Sequence, residues 1–243
     1  MKPNILEKIT YHLYRRLLRP LLPPKEPILY HGIPVGIDRK FFDMKFPTYK
    51  RFYADIPLYE AALIAGIKEC IRHGDRVTII GGGFGATVVF ASLAAGKNGH
   101  VTCYEASASA IKTSRETVRR NLVSGQISFI HAIVCKAFNT YGSSNSEKVC
   151  SPSDIASCDV LELDCEGAEL EILKGLTFRP RTILVETHGV YGSSTNEVTN
   201  QLIDMGYEVT NMGPAEPRIP EKCVEWDLMM LKANYIKNQI ADF

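Results

Sequence analysis

The stretch Asp75-Arg-Val-Thr-Ile-Ile-Gly81-Gly-Gly-Phe-Gly85-Ala-Thr-Val-Val-Phe-Ala-Ser-Leu-Ala-Ala95, followed by His100-Val-Thr-Cys-Tyr-Glu105, decides the fold. Val77 to Ile80 is apolar and rich in β-branched residues, the pattern of a strand buried on both faces. It breaks into Gly81, Gly82, Gly83 and Gly85, interrupted only by Phe84. Ala86 to Ala95 then reads as a helix without a polar face, stopped at Gly96. Glycines let a backbone turn tightly against a ligand, and the free amides at a helix start attract negative charge. A second strand, Val101 to Tyr104, ends on Glu105, a place from which a carboxylate can accept hydrogen bonds from both hydroxyls of a ribose. The core therefore begins as a nucleoside-binding βαβ unit.

Two cofactors fit that unit. Read as Gly81-x-Gly83-x-x-Ala86, the turn matches a dinucleotide fingerprint for NAD. Read as Gly81-x-Gly83-x-Gly85, it matches the turn of enzymes that use S-adenosylmethionine. The glycines alone do not choose between them.

Working outward, Leu58 to Arg72 and Ser109 to Leu122 carry apolar residues at helical spacing, the first stopped at Gly74. Ile127 to Ile130, Asp159 to Leu163, Arg181 to Val185, a strand after Gly206, and Val224 to Leu231 read as further strands. Helices after Asp164 and over Thr195 to Met205 separate them. This alternation predicts an α/β fold: a Rossmann-like, seven-stranded, mostly parallel sheet with helices on both faces. Ligands of such sheets lie beyond the carboxyl ends of the strands. Glu105, Asp164, Glu186 and His188 all fall there, from three strands.

Residues 1–54 are expected to form an N-terminal extension of helix, hairpin and lid, and residues 55–243 the catalytic domain. Residues 1–22 space Ile5, Ile9, Leu13 and Leu17 along one face of a basic helix. Such a helix fits a membrane surface or, the favoured reading, the body of the protein or a second subunit. Ile28 to Ile37 suggests a hairpin turning near His31-Gly32. Arg39 to Tyr53 interleaves cations with six aromatic residues, a composition suited to a sugar or a phosphorylated acceptor, or to a lid.

The 243 residues leave room for one large domain plus an appendage. A net charge of +1 offers no global field for nucleic acid, so no nucleic-acid partner is expected. Seven scattered cysteines without a C-x-x-C pair point away from disulfides and zinc and toward a reducing cytosol. No apolar run approaches the ~20 residues of a membrane span, and the N-terminus lacks the apolar core of a signal peptide.

With these pieces in place, the sequence resembles the FkbM-like branch of class I S-adenosylmethionine-dependent methyltransferases. The resemblance rests on the Gly81–Gly85 turn, Glu105, and above all Asp164-x-Glu166-Gly167-Ala168-Glu169-x-x-x-Leu173-x-Gly175, with Glu186-x-His188 and Leu202-x-x-x-Gly206-Tyr207 in support. It implies an antiparallel last strand and methyl transfer to a hydroxyl, on a sugar or another small acceptor. It also implies that Gly81, Gly83 and Gly85 line the methionine part of the cofactor, with Gly82 and Phe84 of the same turn binding it too, that Glu105 holds its ribose, and that backbone carbonyls or Asp164 meet its amino group. Many relatives carry an acidic residue two positions before the first glycine; here that position is Ile79. His188, with Asp164 and Glu186, is the expected proton acceptor, since an imidazole of ordinary pKa ~6.5 is mostly free at neutral pH. The same three residues resemble the magnesium site of catechol-type O-methyltransferases, so a divalent cation is a further expectation. An NAD-linked oxidoreductase and a non-catalytic nucleoside-binding module are the competing functions.

Overall fold

The computed structural model describes residues 26–38, 55–123, 126–135 and 148–236. The basic helix expected over residues 1–22 and the aromatic segment 39–53 lie outside them. A hairpin, β1 (Pro27–Tyr30) and β2 (Ile33–Asp38), turns at His31-Gly32 as expected, and β3 (Asp55–Ile56) pairs parallel to β1. The main run is α1 (Ala61–Cys70), β4 (Arg76–Ile80), α2 (Ala86–Ala95), β5 (His100–Glu105), α3 (Ala108–Arg120) and β6 (Ile127–His131). A short pair, β7 (Ile133–Val134) and β8 (Val149–Cys150), precedes β9 (Val160–Leu163), α4 (Glu169–Gly175) and β10 (Thr182–Glu186). The chain closes with α5 (Thr195–Asp204), β11 (Tyr207–Pro214), α6 (Pro220–Trp226) and β12 (Met229–Tyr235).

The seven-stranded sheet has the order β11-β12-β10-β9-β4-β5-β6, with β12 antiparallel to both neighbours. Side-chain alternation along β4, β9 and β10 divides the core into two layers. Ile80, Leu161, Leu163, Ile183 and Val185 face α4 and α5, while Val77, Ile79, Val160 and Leu184 face α1 and α2. Val224 to Trp226 is not strand: Pro220 starts a helix, Asp227 ends it in a left-handed turn at φ 52, and the last strand begins only at Met229. Val224 is accordingly 67% exposed, where a central strand would bury it.

The hairpin is fastened to α3. Gly36 N–H donates to Thr117 Oγ1 at 2.7 Å, Arg120 donates to Val35 O and to Asp38, and Asn121 donates to Pro34 O. The three-stranded sheet β2-β1-β3 joins residues on both sides of position 54, and Tyr30 and Val35 bury Ala86 at the start of α2.

At the opposite end of the sheet from the glycine turn, Asp75 and Arg181 form a two-bond ion pair at 2.6 and 3.1 Å. Arg72 N–H also donates to Asp75, and Arg181 reaches Cys70 O. Burial works to raise the Asp75 pKa, but the bonds from Arg181 and Arg72 outweigh it and hold the carboxyl below its usual range. A lowered folded-state pKa stabilises above the unfolded value of ~3.9, and that contribution is lost as pH falls through the folded value. We therefore expect Arg181→Met to cost about 1–3 kcal/mol in urea unfolding at pH 7, Arg181 being partly exposed. The difference should shrink below about pH 4, where Asp75 protonates; an equal loss at both pH values would place the effect in packing instead.

Candidate active site

The ends of β4, β5, β9 and β10 open into one cavity of about 740 Å³. Its cofactor side is built by the glycine turn. Gly81 sits at φ +97, and a Cβ there would meet Asp164 O at 1.7 Å, so only glycine allows the turn to cross the end of β9. Gly83, at φ +48, has open space where its side chain would be, and with Gly81 and Phe84 it lines the cavity. Gly82 and Gly85 do not line it. A Cβ on Gly82 would meet Cys103 Sγ, and Gly85 caps α2 against Ser114. Ser114 Oγ and Thr117 Oγ1 on α3 donate to Gly83 O and Phe84 O, which fixes the turn from behind.

Glu105 stands across from that turn. It accepts from Gly83 N at 3.2 Å and from Ser107 N at 2.7 Å. Burial raises its pKa, and the backbone donors around it oppose the shift. A carboxylate has about four acceptor directions, and a ribose hydroxyl would share them with these backbone donors.

The other side is acidic. His188 follows β10 and is 4% exposed. Its Nδ1 lies 2.8 Å from Glu169 Oε1, which also accepts from Cys165 and Gly167 N–H at the start of α4. Its Nε2 points between Asp164 Oδ1 at 3.6 Å and Glu186 Oε1 at 3.8 Å, both beyond hydrogen-bonding distance. Burial pulls the His188 pKa down, but the Glu169 bond and the charges of Asp164, Glu169 and Glu186 raise it to about 10. The ring is therefore an imidazolium at neutral pH, not the free imidazole its ordinary pKa suggested. Burial pushes both Asp164 and Glu186 up; His188 opposes the shift in each, and repulsion from Asp164 adds to that of Glu186. Ligand atoms of Asp164, Glu186 and His188 lie within 4.8 Å of one another, so these three are the described residues that could share a cation.

Beyond them the wall is aromatic. Tyr30 and Tyr59 stack at 4.1 Å, and Phe84 meets both. Tyr191, Val190, Ile219 and Trp226 continue the lining. Sequence reading missed Glu60, which lines the floor from a left-handed turn (φ 47) before α1, and missed Glu169 as the partner of His188. It also missed Arg218, forked on Glu216.

Residues 147–209 match the family model of the methyltransferase FkbM domain. No curated protein sequence matches the chain. Among solved structures, a precorrin-6y C5,15-methyltransferase from Geobacter metallireducens aligns over 80% of this chain and 95% of its own, with a TM-score of 0.50 and 15% identity. An S-adenosylmethionine-dependent O-methyltransferase from Thermotoga maritima aligns over 82% and 72% at 16% identity and TM-score 0.48. A fibrillarin from Aeropyrum pernix with bound S-adenosylmethionine aligns over 71% and 73% at 15% identity and TM-score 0.46. The fold is that of class I S-adenosylmethionine-dependent methyltransferases. Within that fold, residues 147–209 carry the match to the methyltransferase FkbM domain.

The glycine cradle and Glu105 fit this cofactor. Losing one partner of a charge-assisted hydrogen bond costs roughly 1.5–3 kcal/mol. Titration of S-adenosylhomocysteine onto Glu105→Ala should therefore show affinity reduced by about ten- to a hundredfold; unchanged affinity would remove Glu105 from the ribose site.

Proposed function

We propose that this methyltransferase acts on a hydroxyl of a small-molecule or carbohydrate acceptor in the cytosol. The observation that carries this reading is the convergence of Asp164, Glu186 and His188 in the same cavity as the glycine turn and Glu105. Bound S-adenosylmethionine supplies a methyl group on a sulfonium, which leaves as a neutral thioether. What the protein must supply is a place for the hydroxyl proton. The two carboxylates beside His188 are placed to take it as the O–C bond forms, and their raised pKa values make them stronger bases than ordinary carboxylates. The His188 imidazolium, anchored by Glu169, favours the ionised form of these carboxylates before the proton arrives.

The choice of a small acceptor is supported by charge. Six carboxylates line the cavity, against His188 and Arg218 as the cations, and each of those is paired with a carboxylate, Glu169 and Glu216. Among the described residues, a phosphate backbone would meet no free cation there. No helix of the described residues is long and apolar enough to cross a membrane. The NAD reading draws no support from the fold, which is that of class I S-adenosylmethionine-dependent methyltransferases.

A divalent cation, which would take the place of the proton on His188 Nε2, is the second reading of the acidic side. It is favoured by the 3.6 and 3.8 Å gaps at His188 Nε2, which are too long for hydrogen bonds and close to the edge of a coordination shell with ~2.1 Å bonds.

Thermal shift separates the cofactors: S-adenosylmethionine and S-adenosylhomocysteine should each raise Tm, with ~2.7 kcal/mol of stabilisation at one hundred times Kd, while NAD should leave it unchanged. The reverse pattern would overturn the methyltransferase assignment. For the chemistry, single-turnover transfer by Glu186→Gln at saturating cofactor should fall by ~10²–10⁴-fold. A rate near that of the parent would take Glu186 out of the proton step and leave Asp164 as the acceptor. Loss of parent activity on chelation, restored by added Mn²⁺, would favour the cation.

A further inference from the structure

Glu162 has no role in the site as described, yet it is the least comfortable residue in the core. It is 1% exposed, and neither of its carboxylate oxygens has a hydrogen-bond partner. Strands β9 and β4 run in parallel register with Glu162 directly opposite Ile79. Paired residues in a sheet project to the same face, so Glu162 enters the apolar layer beneath α1 and α2 beside Val160 and Leu184. An unpartnered carboxylate in such a layer is costly and needs a reason.

Its surroundings give one. Burial first, and then repulsion from Glu60 and Asp164, push its pKa up, and the Thr87 hydroxyl opposes them. Glu60 and Asp164 line the cavity floor, and Thr87 is the second residue of α2, just past the glycine turn. Glu162 therefore lies beside the glycine turn, which on the S-adenosylmethionine reading holds the methionine part of the cofactor. Glu60 reaches that place from its left-handed turn without capping α1 by its side chain. Acidic side chains thus gather at one spot, and none of the groups acting on Glu162 is a cation.

We propose that Glu60 and Glu162 together form the seat for the cofactor's α-ammonium group. Glu60, which lines the cavity, makes the contact. Glu162 is the positioning residue behind it, and an ammonium arriving at Glu60 favours the charged form of its carboxyl, which strengthens the seat. The carboxylate absent at Ile79 is thereby replaced from the neighbouring strand, at the same register level. The inference rests on the S-adenosylmethionine reading and adds to it how the amino group is recognised.

The test compares S-adenosylhomocysteine with its analogue carrying hydrogen in place of the α-amino group, by calorimetric titration of the full chain. The parent should prefer the amino form by about tenfold or more, since the contact is charge-assisted. Glu60→Gln should abolish the preference, and the near-isosteric Glu162→Gln should reduce it at least about threefold. Without ligand, Glu162→Gln should be as stable as the parent or more so, because an orphaned buried carboxylate has been removed. An unchanged preference in Glu162→Gln, or a drop in its ligand-free Tm with the preference intact, assigns Glu162 a structural role and overturns the proposal. Should Glu162→Gln fail to fold, Glu162→Leu and the parent's own ratio decide. Equal affinity of the parent for both ligands overturns the proposal alone; no binding of either overturns the cofactor reading with it.

Discussion

The structure depends on one close approach. At Gly81 the backbone passes so near the carbonyl of Asp164 that a Cβ would stand 1.7 Å from its oxygen. Gly81 N–H donates to Tyr104 O and Asp164 N–H to Ile80 O, both at 3.0 Å, so the crossing ties the ends of β4, β5 and β9 at one level. From that level Glu105 and Asp164 face the same space, and β10, paired with β9, brings Glu186 to its edge. A second approach of the same kind holds the hairpin: a Cβ on Gly36 would stand 2.2 Å from Thr113 O on α3. With β2 pressed onto α3, Tyr30 reaches over to Phe84 and Tyr59, and the glycine turn acquires an aromatic wall. Two positions without side chains thus set both the floor and one side of the cavity.

That geometry has an electrostatic consequence. Strand ends that converge carry their carboxylates with them, and the cavity concentrates negative charge in a partly dry space where repulsion is poorly screened. Burial and mutual repulsion raise Glu60, Asp164 and Glu186. The His188 ring answers part of this charge and is raised in turn. Such an arrangement is unfavourable for folding alone and favourable for a ligand that brings positive charge, which a sulfonium with an α-ammonium does. Natural proteins commonly accept local instability at the sites they use.

Much of this was legible in the sequence, because the physics that shaped it is local. Buried parallel strands are short β-branched runs, and helices on a sheet show their period. The hairpin was marked by His31-Gly32, both of which take positive φ. Asp164, Glu186 and His188 could be grouped because strand order and direction follow from the alternation. The misses come from contacts distant in sequence. Val224 to Leu231 looks like one apolar strand until Pro220 and the left-handed Asp227 split it into helix and strand. Glu60 reads as an ordinary residue before a helix, since nothing local announces φ 47. Gly82 and Gly85 look like ligand contacts, though what excludes their side chains is Cys103 and Ser114. The charge on His188 was invisible for the same reason: it depends on carboxylates from three separate segments, at Asp164, Glu169 and Glu186.

Ile79 shows most directly what reading one position at a time leaves out. Taken alone, an isoleucine where many relatives carry an acid suggests a weakened cofactor site. In the sheet that position has a partner, because parallel strands in register place Glu162 opposite Ile79 and on the same face. A functional group can move from one strand to its neighbour and still point into the same layer, about 4.8 Å away across the hydrogen-bonding direction. A one-residue slip along the strand would instead turn it to the other face of the sheet. The register of β4 and β9, held by the Gly81 crossing, is therefore what allows an acid missing from the glycine motif to be supplied from outside it.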